Sequence, residues 1–128
     1  MQPPFPRTMP CVGLPAEIPM KKLEDRVCEP CRGAVDALGQ DKIELFRRQL
    51  SGWAVVDGHH LHKRYETKDF QEALALVNRF GAVAEEQAHH PVLRFTWGWV
   101  EVDVWTHKID GLTLSDFVLA ARLDRSLA

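Results

Sequence analysis

A chain of 128 residues with 45% hydrophobic and 27% charged side chains has the size and composition of one domain with its own core. Its formal net charge of −2 and pI near 6.3 exclude the global positive field that draws a protein onto nucleic acid or an anionic membrane. No apolar run approaches the ~20 residues of a membrane helix, and the opening residues lack the unbroken apolar stretch of a signal peptide, so the expected location is the cytoplasm, with neither nucleic acid nor membrane as a direct partner.

Six prolines within MQPPFPRTMPCVGLPAEIP remove backbone donors and fix φ too often for a helix or a central strand. Residues 1–27 therefore read as a flexible Pro-rich arm, and 28–128 as the folded domain. Cys11, Cys28 and Cys31 are an odd count, which argues against a disulfide framework and for a reducing compartment. The CEPC pair has redox spacing but follows the charged KKLEDRV rather than a buried strand, and a zinc ribbon would need a second close pair.

In DKIELFRRQL, Ile43, Leu45, Phe46 and Leu50 recur at helical spacing, closed by Ser51-Gly52. WAVVD and LHKRYE flank GHH as the arms of a hairpin. Asp69 and Glu72 open a second helix, along which Phe70, Ala73, Leu74, Val77, Phe80, Val83, Ala84 and Ala88 carry an apolar stripe to Pro91. VLRFTWGWVEVDVWTH alternates around a turn at Gly98, with Val100, Val102 and Val104 on one face. Thr113-x-x-Asp116 caps a closing helix striped with Leu114, Phe117, Val118 and Ala121. The order α-β-β-α-β-β-α predicts an α+β fold, a four-stranded antiparallel sheet with three helices on one face.

The histidines fall at the ends of these elements. EEQAHHP places His89 in the last turn of the long helix and His90 where Pro91 disfavours helical geometry. Glu85, four residues before His89, shares its helical face and is expected to hold that ring. His107 is expected at the far end of the last strand, within reach of the helix tip. Imidazoles that titrate near neutrality can divide the two proton transfers of an elimination. Two roles compete with catalysis: a cation at a helix C-terminus is stabilised by the dipole, and three histidines with Glu85 or Asp116 could bind zinc, although HHP lacks the i, i+4 spacing of helical zinc motifs. Asp116 is equally accounted for as a helix cap. His59, His60 and His62 read as surface residues of a hairpin tip.

Glu85, His89-His90-Pro91, Trp97, His107 and Asp116, together with SGW at 51–53, KDFQEAL, VEVDVWTH and GLTLSDFVLAARLD, resemble the pterin-4a-carbinolamine dehydratase family over roughly residues 28 to 125. The resemblance implies the helix and hairpin order already reached. It also implies a hydro-lyase that removes water from a 4a-hydroxytetrahydropterin to give quinonoid dihydropterin, recycling the cofactor of an aromatic amino-acid hydroxylase. Carried onto this chain, it makes His89, His90 and His107 the acid/base set, with Glu85 orienting the helical histidine and Asp116 supporting the site. It places Trp53, Pro91 and Thr106 at the substrate. The pterin is then substrate, no cofactor or metal is implied, and a homodimer or homotetramer is expected. Ala88 departs from the Asp or Asn of many members, and Trp97 from the tyrosine of animal ones. A non-catalytic interaction role, as transcriptional coactivator or assembly factor on the same fold, is the alternative.

Overall fold

A computed structural model describes residues 22–26 and 37–127. In chain order these form a single 3-10 turn (Leu23–Asp25), α1 (Gln40–Arg47), β1 (Ala54–Val56), β2 (His60–Glu66), α2 (Phe70–Gln87), β3 (Val92–Thr96), β4 (Trp99–Val104) and α3 (Leu114–Arg125). The strands make one antiparallel sheet in the order β1-β2-β4-β3, so two hairpins are joined edge to edge through β2 and β4. The predicted α+β class, element order and four-stranded sheet are those observed. Among the described residues no helix is long and apolar enough to cross a membrane.

Alternation along the strands sorts the two faces. Val100, Val102 and Val104 of β4 are fully buried, and opposite them in register stand Tyr65, Lys63 and Leu61 of β2, with Phe95 and Leu93 of β3. Helices α2 and α3 pack on this face. The other face carries cross-strand charge pairs: His62 with Asp103 at 2.7 Å, Arg94 with Asp103 at 3.1 Å, and Arg64 with Glu101 at 3.6 Å. Such part-exposed pairs contribute little stability but disfavour a register slip, which would carry charges into the core.

Two caps start the helices where the sequence places them. Asp69 accepts from the Glu72 amide at 2.8 Å, while the Glu72 carboxylate accepts from the Lys68 amide at 2.7 Å. From that start Ala73, Phe80 and Ala84 face inward, and Phe80 meets the Tyr65 ring at 5.0 Å between centroids. Helix α3 is buried on more sides than its predicted stripe requires: Leu119, Ala120 and Leu123 are buried along with Phe117 and Val118. The cause is its position, since α1, α2, β2, β4 and the 3-10 turn all pack against it.

The arm expected over 1–27 lies outside the described residues except at 22–26, and there the chain is docked rather than loose. Leu23 is buried, and Arg122 and Arg125 of α3 donate to the Arg26 and Glu24 carbonyls at 2.7 and 2.8 Å. The segment KLEDR holds no proline, and an apolar anchor with two guanidinium bonds seats it on α3. All three cysteines lie outside the described residues.

Asp124, near the C-terminal end of α3, explains the SGW stretch. Its carboxylate accepts from Trp53 Nε1 at 2.8 Å, Lys63 Nζ at 3.0 Å and Tyr65 Oη at 2.6 Å, and Lys63 also donates to the Ser51 carbonyl at 2.8 Å. Gly52 sits at φ +82°, and a Cβ there would lie 3.2 Å from Lys63 Cε. The positive φ is what favours glycine here, and an added Cβ would also press on the end of the lysine. A lysine on the apolar face is thereby paired, as a part-buried cation must be.

Burial, the bond to Asp124 and the charge of that carboxylate, in that order, push the Tyr65 hydroxyl well above its ordinary value. An unfolded tyrosine ionises near pH 10, so above that pH the unfolded chain has lost a proton that the native chain retains. Stability from this group is complete below about pH 10 and falls as pH rises further. Tyr65 is the single tyrosine, so phenolate absorbance reports it alone. The expected outcome is that phenolate appears only as the protein unfolds, and that Tyr65→Phe loses less stability between about pH 10 and 11 than wild type. A native-state phenolate at pH 10 would contradict this.

Candidate active site

The end of α2 sets the geometry. Gln87 is the last helical residue, and Ala88 turns into the left-handed region at φ 54°, ψ 37°. The Ala88 and His89 amides then reach back to the Glu85 and Ala84 carbonyls, both at 3.1 Å, closing the C-terminus in the manner usually served by glycine. His89 is therefore outside the helix, and the expected Glu85–His89 pair does not form. Instead Glu85 Oε1 meets His90 Nε2 at 2.9 Å on the exposed surface. The left-handed residue rotates His89 off the Glu85 face and turns it toward α3.

There His89 Nε2 lies 2.6 Å from Asp116 Oδ1, with the His89 side chain 15% exposed and that of Asp116 0%. Oδ2 of the same carboxylate accepts from the Thr113 amide at 2.8 Å and from Thr106 Oγ1 at 2.8 Å. Thr106 spends its one hydroxyl proton on Asp116, so the 2.9 Å contact between Thr106 and Thr113 oxygens is donated by Thr113. One carboxylate thus makes both contacts: Oδ2 caps α3 and Oδ1 meets the imidazole. Where Oδ1 is the acceptor of this contact, the His89 proton sits on Nε2 and Nδ1 is left as the nitrogen through which that ring can exchange a proton.

The hydrogen-bond chain ends at Thr106 and Thr113, and the third histidine, His107, follows Thr106 in sequence. The backbone from Thr106 to Gly111 folds into a closed turn: Thr106 N donates to the Gly111 carbonyl at 2.9 Å, and Asp110 N to the Thr106 carbonyl at 2.8 Å. His107 is exposed and stacks on Trp105 at 4.3 Å between centroids, 25° from parallel. Asp116 and Thr106 thus place His89 and the start of the His107 turn on one carboxylate, whereas His90 pairs with Glu85 on the exposed surface.

The remaining expected residues are less directly placed. Pro91 bridges the end of α2 and the start of β3, next to His90. Trp53 is buried at 4% exposure against Asp124, two turns along α3 from Asp116, so the structure ties it to the core network rather than to the imidazoles. Trp97 is an exposed residue of the β3–β4 turn. His59, His60 and His62, expected on the surface of a hairpin tip, are half-buried: His59 bonds Asp110 at 2.8 Å, His62 bonds Asp103 at 2.7 Å, and His59 and His60 both lie against Trp105. The signal that could have found them is the register. Asp103 directly opposes His62 across β2 and β4. Among the described residues no group of three or more His, Cys, Asp or Glu side chains is arranged to hold a metal ion.

The profile of the pterin 4 alpha carbinolamine dehydratase family matches residues 36–126. The chain belongs to this family. A Rubrobacter xylanophilus protein provisionally named pterin-4-alpha-carbinolamine dehydratase is 53% identical over 106 residues, covering 83% of this chain and 99% of the relative. A Rickettsia bellii protein of the same provisional name is 44% identical over 103 residues, 80% of this chain and 91% of its own. A crystal structure described as transcriptional coactivator/pterin dehydratase, from Brucella melitensis, superposes with a TM-score of 0.67 at 26% identity, covering 73% of this chain and all of that one.

Ala88 is a testable departure within this dehydratase family, since a left-handed alanine costs about 1–2 kcal/mol that asparagine or glycine largely avoids. Ala88→Asn is expected to raise the free energy of urea unfolding by ~0.5–1 kcal/mol, and Ala88→Val to lower it by at least about 1 kcal/mol. Equal stability of the valine variant would show that residue 88 is not left-handed.

Proposed function

We propose that this chain is a hydro-lyase that removes water from a 4a-hydroxytetrahydropterin and releases quinonoid dihydropterin, so returning the cofactor spent by an aromatic amino-acid hydroxylase. The observation that carries the proposal is the buried Asp116 carboxylate bonded to both His89 and Thr106, the residue before His107, in a chain of the dehydratase family. A merely capping carboxylate has no need of an imidazole on its free oxygen.

The reaction needs two proton transfers and no change of redox state. A protonated imidazole gives its proton to the 4a-hydroxyl as the C4a–O bond breaks and water leaves. A neutral imidazole takes the proton from the adjacent ring nitrogen, whose bonding pair becomes the second bond of C4a=N5. The rings return to their starting states by exchanging a proton with solvent, to which His90 and His107 are open. In this reading His89, His90 and His107 share the two tasks, Asp116 fixes the His89 tautomer, and Glu85 orients His90 instead of His89. Trp53 is proposed to shape the fold beneath the site through Asp124. The same reading takes the pterin as substrate with no cofactor, the cytoplasm as location, and a homodimer or homotetramer as the working form.

The description of the Brucella structure names a coactivator as well as a dehydratase, and turnover separates the two roles. Purified protein is expected to dehydrate a 4a-hydroxytetrahydropterin faster than buffer, with kcat reduced about 100-fold or more in His90→Ala and in His107→Ala. A wild-type rate equal to buffer would contradict catalysis and leave the interaction role.

A further inference from the structure

The β1–β2 hairpin tip, which the proposed reaction does not use, is fastened to the turn that presents His107. His59 Nε2 lies 2.8 Å from Asp110 Oδ1, and His59 Nδ1 lies 3.1 Å from His60 Nδ1. Both rings pack on Trp105, at 5.3 and 5.8 Å between centroids, and the Trp105 indole is in turn stacked on His107 at 4.3 Å. Asp110 belongs to the same turn as His107, adopts φ 57°, and donates its amide to the Thr106 and His107 carbonyls at 2.8 and 3.2 Å. The exposed His107 side chain thus has an aromatic plane along one side and a turn pinned from the neighbouring hairpin. An imidazole on a closed surface turn would otherwise sample several χ1 and χ2 wells, and proton transfer depends on one of them.

We propose that Trp105 and His59 are positioning residues for the reaction: the indole fixes the plane of the His107 ring, and the His59–Asp110 bond fixes the turn that carries it. This rests on the reading of His107 as an acid/base group. Neither residue touches the transferred protons. Their effect falls on the fraction of time His107 spends in the productive orientation, and hence on kcat rather than on KM. Sequence explains why the arrangement forms: Asp57 and Gly58, both at positive φ, keep the hairpin connection short, so that His59 and His60 lie over the end of β4, where Trp105 continues the outward alternation of Glu101 and Asp103.

The decisive experiment is a pair of double-mutant cycles against His107→Ala, read by steady-state dehydration of 4a-hydroxytetrahydropterin. In the wild-type background Trp105→Ala is expected to lower kcat about 10-fold with KM changed less than about 2-fold, and Trp105→Phe, which keeps a ring face, to stay within about 3-fold of wild type. His59→Ala is expected to lower kcat, and His59→Gln, which keeps a donor for Asp110, to restore most of it. In the His107→Ala background both alanine substitutions are expected to change the rate by less than about 2-fold, because the ring they position is gone. Equal losses in both backgrounds, or no loss in either, would overturn the positioning role while leaving His107 catalytic. His107→Ala turning over at the wild-type rate would instead overturn the acid/base reading, and the positioning role with it. Should Trp105→Ala fail to fold, the His59 cycle gives the answer alone.

Discussion

One buried carboxylate organises the molecule's functional end. Asp116 is shielded from water and accepts from three donors that come from three places: the Thr113 amide at the start of α3, the Thr106 hydroxyl beyond the end of β4, and His89 beyond the end of α2. An isolated buried carboxylate would cost several kcal/mol, so its burial is tolerable only while all three segments supply their bonds. The three chain ends therefore converge as a condition of folding, and the site is assembled by the same bonds that make α3 stable. Capping and the imidazole contact, which compete for a T-x-x-D carboxylate, fall here to two oxygens of one group.

A second carboxylate on the same helix does comparable work without reaching the imidazoles. Asp124, eight residues along and about 12 Å away at 1.5 Å per residue, gathers Trp53, Lys63 and Tyr65. The buried helix α3 is thus tied to the sheet at both ends, and its apolar middle, Phe117 to Leu123, fills the space between. This division explains why Trp53 sits in the core: its indole nitrogen is used by Asp124. It also gives a rigid backing to Asp116, whose three bonds require its partners to stay in place.

The elements of the fold are legible in the sequence because each carries a period and a punctuation mark: valines at every second position of β4, Asp69-x-x-Glu72 before the stripe of α2, and Gly98 between two alternating runs. The candidate site residues stand out in the sequence by type and by resemblance to a family, but their pairing does not. Counting four residues back from His89 gives Glu85, and that count assumes helical geometry through residue 88. A left-handed alanine breaks the assumption, and composition does not announce it, since alanine is the best helix former. Histidines at a hairpin tip likewise look solvated until the sheet order is known. Only the pairing of β2 with β4 brings His62 to Asp103 and the tip over Trp105. Lys63 on the apolar face has no signal in the hydrophobic pattern, because its partner lies 61 residues away.

In the proposed mechanism Asp116 holds His89 as the Nε2–H tautomer so that Nδ1 serves the reaction. In the Asp116→Asn variant the new carbonyl oxygen could still accept from Thr106 and Thr113, while the new amide group, a donor only, would face His89 and favour the opposite tautomer. The measurement is the ¹⁵N NMR assignment of the His89 tautomer in wild type and in this variant, with kcat recorded on the same samples. The expected result is Nε2–H in wild type, Nδ1–H in a folded variant, and loss of most turnover. A folded variant whose His89 has changed tautomer while kcat stays at the wild-type value would contradict the claim.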